Sequence, residues 1–170
     1  MESVLLGRRL AAGLPNLAIL PMDAVRLGFR PHSFDVVACV QNGICAFRVE
    51  PLDLMREAVR VTRPGGRVLL SSYAERFWPH RLEWFQAQAA AGLVGEIDPE
   101  ATRDGVIACR DGFRSGTMLP EQFETLCAQL GLRAGIHEVD GSSLFCEILI
   151  PGEETGPSMP PSPSAIMPGS

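Results

Sequence analysis

The sequence predicts an α/β protein, and three consecutive segments carry that prediction. Asp35 to Val40 is an almost wholly apolar run, an amphipathic helix follows from Pro51 to Val61, and an Arg63-Pro64-Gly65-Gly66 turn leads into a second apolar run from Val68 to Leu70. Apolar runs without alternation are what strands look like when both faces are covered, and two of them joined through a helix make a parallel βαβ unit. Ligands of such sheets sit beyond the carboxyl ends of the strands.

The remaining elements follow in order. Ser3 to Ala12 reads as a short helix with Leu6 and Leu10 on one face and Gly13 as its stop. Leu17 to Leu20 reads as a short strand, with Asp23 placed where a strand end delivers a side chain to the ligand crevice. Gly28 to Ser33 carries Gly, Pro and Ser and reads as a surface loop. Gln41-Asn42-Gly43 sets polar groups at the carboxyl end of the Asp35 run. In the helix that starts at Pro51, Leu52, Met55 and Val59 share the face expected to be buried. The second apolar run ends in Ser71-Ser72-Tyr73.

Phe77 to Leu93 concentrates aromatic residues and contains both tryptophans, Trp78 and Trp84. Two readings stand: a lid or substrate wall, or an amphipathic helix that packs Leu82, Phe85 and Ala89 onto the core. Pro120 to Leu130 places Phe123, Leu126, Cys127 and Leu130 on one helical face and stops at Gly131. Ala134 to Val139 and Leu144 to Ile150 are strand-like runs separated by Asp140-Gly141, which predicts an antiparallel hairpin. From Pro151 onward Pro, Gly and Ser dominate, so 1–150 is read as the folded domain and 151–170 as a disordered tail.

At 170 residues and 46% hydrophobic content the chain can build one core and is too short for two full domains. A net charge of -5 offers no basic stripe for a phosphate backbone, which argues against nucleic acid and for a small neutral or weakly charged substrate. The five cysteines are scattered and odd in number, with no C-x-x-C pair and no histidine at zinc spacing, so no metal site is expected and the pattern is that of a reduced cytoplasmic protein. No apolar run reaches the length of a membrane span and the first residues do not read as a secretion signal, so neither membrane insertion nor secretion is expected. Hydrolase elbows and nucleotide phosphate loops are missing too; Gly112-Phe113-Arg114-Ser115-Gly116 has the wrong spacing for an elbow.

In the order and spacing of its pieces, the stretch from Glu2 to Ile150 resembles the C-terminal two-thirds of a class I S-adenosylmethionine-dependent methyltransferase of the small-molecule type. Asn16 to Ala24 looks like that family's third strand and the acid after it, Ser33 to Val37 like the opening of its fourth strand, and Val61 to Leu69 like the turn into its fifth. Asp111 to Ser115, the Pro120 helix and the final hairpin are similar to its closing segment. The resemblance implies a Rossmann-like sheet, mostly parallel with a C-terminal antiparallel hairpin, and S-adenosylmethionine as cofactor. It assigns Asp23 and Ala24 to the adenine and Gln41, Asn42 and Gly43 to the methionine end. Tyr73, Trp78 and Trp84 become candidate substrate walls. A nucleic-acid amino-methyltransferase is disfavoured, because that branch carries a paired proline and aromatic where this chain has Gln41-Asn42-Gly43-Ile44. No catalytic residue is named, since displacement at a sulfonium methyl needs alignment first and a base only when the acceptor must lose a proton.

The family also has a first strand, a Gly-rich cofactor turn and a second strand ending in a ribose-binding acid, and this sequence shows none of them. In the family the strands run third, second, first, fourth, fifth, seventh, sixth, so the two missing strands would separate the Leu17 strand from the Asp35 strand. The expectation is a sheet lacking those two strands, with an open edge available for self-association. Two functional readings follow: a methyltransferase whose full form extends upstream of Met1, or a truncated, non-catalytic binding or scaffold module. An unrelated α/β enzyme is a third alternative that the motifs do not favour.

Overall fold

The computed structural model describes residues 2–152, so the expected disorder of the tail falls almost wholly outside the described residues. Helix α1 spans Glu2–Leu10, strand β1 Phe34–Cys39, helix α2 Gly43–Ala46, helix α3 Pro51–Val61 and strand β2 Thr62–Tyr73. A 3-10 turn, Glu75–Phe77, leads into helix α4, Trp78–Ala90. Two short strands follow, β3 (Ile107–Ala108) and β4 (Arg114–Ser115), then helix α5 (Pro120–Gln129) and the hairpin strands β5 (Ala134–Val139) and β6 (Ser143–Leu149).

The main sheet has the order β1-β2-β6-β5, with β1 parallel to β2 and the other pairings antiparallel. That is the order implied for the second half of the methyltransferase sheet. Asp140 and Gly141, both at positive φ, close the expected hairpin.

Two rows of side chains cross all four strands on one face: Val37, Val68, Ile148 and Ala134, then Cys39, Leu70, Cys146 and Ile136. Helices α3 and α5 cover those rows with Leu54, Met55, Ala58, Phe123 and Cys127. Each such apolar side chain, once fully buried, contributes about 1.5–3 kcal/mol before the entropy of ordering it is subtracted. The buried face of α3 is rotated from the expected one: Leu54, Met55, Ala58 and Val61 are buried, while Leu52 and Val59 are only partly covered.

Several expectations are corrected here. Leu17 to Leu20 forms no strand, because a strand persists only through ladder hydrogen bonds and no described strand pairs with it; its neighbour is helix α1, whose Arg8 Nε donates to the Ile19 carbonyl at 2.9 Å. Strand β1 is not covered on both faces: Val36 is 52% exposed while Val37 and Cys39 pack on the core. β1 is an edge strand, and its second face meets no helix among the described residues. The Arg63 to Gly66 segment does not precede β2 but lies within it as a bulge, since Phe34 pairs with Thr62 and Val36 already with Arg67. Glycine is needed at Gly66, where a Cβ would lie 2.8 Å from the Asp35 carbonyl and 2.9 Å from that of Arg63.

Among the described residues no helix is long and apolar enough to cross a membrane, and no group of three His, Cys, Asp or Glu side chains is placed to hold a metal.

Candidate functional site

Strands β1 and β2 run parallel, so Val40-Gln41-Asn42 and Ser71-Ser72-Tyr73 emerge at the same end of the sheet. Gln41 and Asn42 both take positive φ, 56° and 61°, which non-glycine residues adopt at a cost of order 1 kcal/mol or more. A hydrogen-bonded network holds Asn42 there. Its Nδ2 donates to Ser115 Oγ (3.0 Å) and the Gly116 carbonyl (2.9 Å), its Oδ1 accepts from Ser72 Oγ (3.0 Å), and Ser72 Oγ accepts from the Met118 backbone N–H (2.8 Å). The Asn42 side chain is therefore spent inside the protein, and its backbone is what shapes the crevice. Gly43 opens α2 in a space that admits no side chain, since a Cβ would come within 2.6 Å of Cys39 Sγ.

Two cavities meet at this end. One, of about 900 Å³, is lined by Gln41, Asn42, Ser71, Ser72, Trp84 and Phe145, among others. The other, of about 590 Å³, is lined by Trp78, Arg81, Gly105, Thr117 and Gln122. Tyr73 lines both and forms the wall between them. Burial raises the Tyr73 phenol above its ordinary value while the nearby Arg81 charge opposes the rise, so the hydroxyl is a proton-bearing donor at neutral pH.

The sequence-derived candidates divide accordingly. Gln41, Asn42, Tyr73 and Trp84 gather around the larger cavity, and Tyr73 and Trp78 around the smaller. Asp23, Ala24 and Gly43 line neither. The Asp23 carboxylate accepts the Val25 backbone N–H at 3.1 Å in a local turn, and Ala24 packs against the core.

Arg81 was not legible as a site residue. The buried face of α4 is Arg81 and Phe85, not Leu82, Phe85 and Ala89. Arg81 is 1% exposed and its guanidinium lies 4.3 Å from the Tyr73 ring centroid. Nη1 donates to the Gly105 carbonyl and Thr117 Oγ1, and Nη2 to the carbonyls of Ser115 and Gly116 and to Ser115 Oγ. The available signal was Trp78, Arg81 and Phe85 at helical spacing, an arginine in an aromatic stripe.

Residues 3–70 match the family model of the methyltransferase domain. The fold is similar to that of a Pyrococcus horikoshii protein (TM-score 0.61, 19% identity, 88% of this chain and 67% of that one). It is also similar to a S-adenosylmethionine-dependent methyltransferase of Methanosarcina mazei (TM-score 0.57, 16% identity, 89% and 79%). Over residues 3–70 the chain is thus similar to that methyltransferase family, and over most of its length it has the fold of these solved structures. Methyl transfer is the reaction class of that family, and S-adenosylmethionine its cofactor. Another structure of similar fold, the 1,6-didemethyltoxoflavin-N1-methyltransferase of Burkholderia thailandensis, was solved with 1,6-didemethyltoxoflavin and S-adenosylhomocysteine bound (TM-score 0.57, 10% identity, 85% of this chain and 56% of that one). No curated protein sequence matches the chain significantly.

Proposed function

We propose that this chain moves a methyl group from S-adenosylmethionine to a small-molecule acceptor, with the donor in the larger cavity and the acceptor in the smaller. The observation that carries this reading is the pair of cavities at the carboxyl ends of β1 and β2 with Tyr73 as their shared wall. The residues present fit the methionine end of the donor. The Gln41-Asn42 backbone turn and the Ser71, Ser72, Ser142 and Ser143 positions line the cavity with hydrogen-bonding groups, and Phe77, Trp84 and Phe145 add apolar wall. Bound there, the cofactor supplies an electrophilic methyl on a sulfonium. The chain's part is to align donor and acceptor and to exclude water, which can supply much of the rate of an in-line displacement. Tyr73, protonated at neutral pH, can donate a hydrogen bond to an acceptor atom and so orient it. Asp23 and Ala24 remain the residues proposed for the adenine.

A second reading, a non-catalytic binding module, draws support from the open edge of β1 and from the position of Asp23 and Ala24 outside both cavities. Calorimetric titration of the chain with S-adenosylhomocysteine separates the two. Saturable one-to-one binding supports the methyltransferase reading, and no heat above dilution overturns it in favour of the second.

A further inference from the structure

We infer that the smaller cavity is built for an acceptor that carries an anionic group, a carboxylate or a phosphate, recognised through Arg81; this rests on the reading of that cavity as the acceptor's. Arg81 is buried, yet no carboxylate lies within ion-pair distance of it among the described residues. Its Nη atoms are held by carbonyls and hydroxyls of Gly105, Ser115, Gly116 and Thr117, neutral acceptors that fix the guanidinium without cancelling its charge. Its Nε–H is buried and has no acceptor. A buried cation without a counter-ion is costly, and burial accordingly depresses the Arg81 pKa. An anion in the adjoining cavity would offset that charge.

The rest of the wall agrees. Trp78 gives the cavity an aromatic wall, and Gln122 adds a side-chain amide. Glu75 and Asp104 also line the cavity, but both are exposed, and the Asp104 side chain is 91% accessible, so water screens them far more than it screens Arg81. A cationic acceptor would meet Arg81 as a like charge, and the Tyr73 face is already stacked on the guanidinium.

The two tryptophans make the test site-resolved, because Trp78 lines the smaller cavity and Trp84 the larger. The full chain is titrated with benzoate, benzamide and benzylamine while the two indole N–H resonances are followed, at low and at high salt. Benzoate should bind about tenfold or more tighter than benzamide, shift the Trp78 resonance, and weaken with salt. Arg81→Lys, which keeps the charge, should retain the preference, and Arg81→Gln should lose it. If Arg81 variants fail to fold, the ligand series on the unaltered chain decides alone. Equal binding of benzoate and benzamide, or preferred binding of benzylamine, overturns the inference. S-adenosylhomocysteine binding without a benzoate preference removes this inference and leaves the methyltransferase reading standing. A benzoate preference without S-adenosylhomocysteine binding leaves an anion site and removes the acceptor role given to it.

Discussion

Glu57 ties helix α3 to the segment that precedes β1. Its carboxylate accepts the Leu27 backbone N–H at 2.6 Å and two guanidinium bonds from Arg60, which in turn donates to the carbonyls of Leu27 and Phe29. The Arg60 bonds hold the Glu57 pKa below its ordinary value of 4.5, against the opposing effect of burial. A lowered carboxylate pKa stabilises the fold above the unfolded value, and that contribution is lost as pH falls through the folded value. Denaturant midpoints should therefore drop as pH falls below about 4.5, and Glu57→Gln should flatten that drop while costing about 1 kcal/mol at neutral pH; Arg60 is one-third exposed, so screening keeps the figure small. Gly66→Ala is expected to cost about 1–3 kcal/mol in urea melts, since its methyl would press on two backbone carbonyls that cannot swing aside. Neither site was legible residue by residue. An acid on a helix looks like a solvated charge, and a Gly-Gly pair after a helix looks like a turn when its partner strand is unknown.

At the scale of elements, the turn at Gln41-Asn42 and helix α4 are joined through Ser115 and Gly116, which accept bonds from both Asn42 and Arg81. The two cavities thus share one polar brace. Asn42→Ala leaves Ser72 and Ser115 without their Asn42 partner and frees a strained backbone pair, so it should weaken S-adenosylhomocysteine binding about tenfold by calorimetry and lower stability by about 1–3 kcal/mol. Elements with a clear period were readable in the sequence: α3 and α5 and the closing hairpin appear within a residue or two of their expected bounds. Helix α4 was readable as a helix but not in its facing, because Arg81 is buried by contacts with a hairpin some 30 residues later that periodicity does not reveal. Leu17 to Leu20 failed for the converse reason. Its composition suits a strand, but strand formation depends on a partner strand that the described residues do not provide.

At the scale of the whole molecule, helices cover one face of the sheet among the described residues. Helices α3 and α5 cover the face that carries Val68, Leu70 and Cys146, while Val36, Val40 and Leu149 are 52%, 48% and 60% exposed. An edge strand with exposed apolar residues is a template for pairing with other chains. Val36→Lys should therefore raise the concentration at which light scattering detects aggregates, with little change in melting temperature. The convergence of Gln41, Asn42 and Tyr73 was legible because parallel strands deliver their carboxyl ends to one place, whereas the strand order was legible only through the resemblance to the family. The division into two cavities was not, since it depends on where α4 and residues 103–117 come to rest. The central claim, a donor cavity beside Gln41-Asn42 separated by Tyr73 from an acceptor cavity, is tested most directly by titrating S-adenosylhomocysteine against the two indole N–H resonances. A saturable shift of the Trp84 resonance, with Trp78 moving less, is the predicted result; no shift in either, or a shift confined to Trp78, would contradict it.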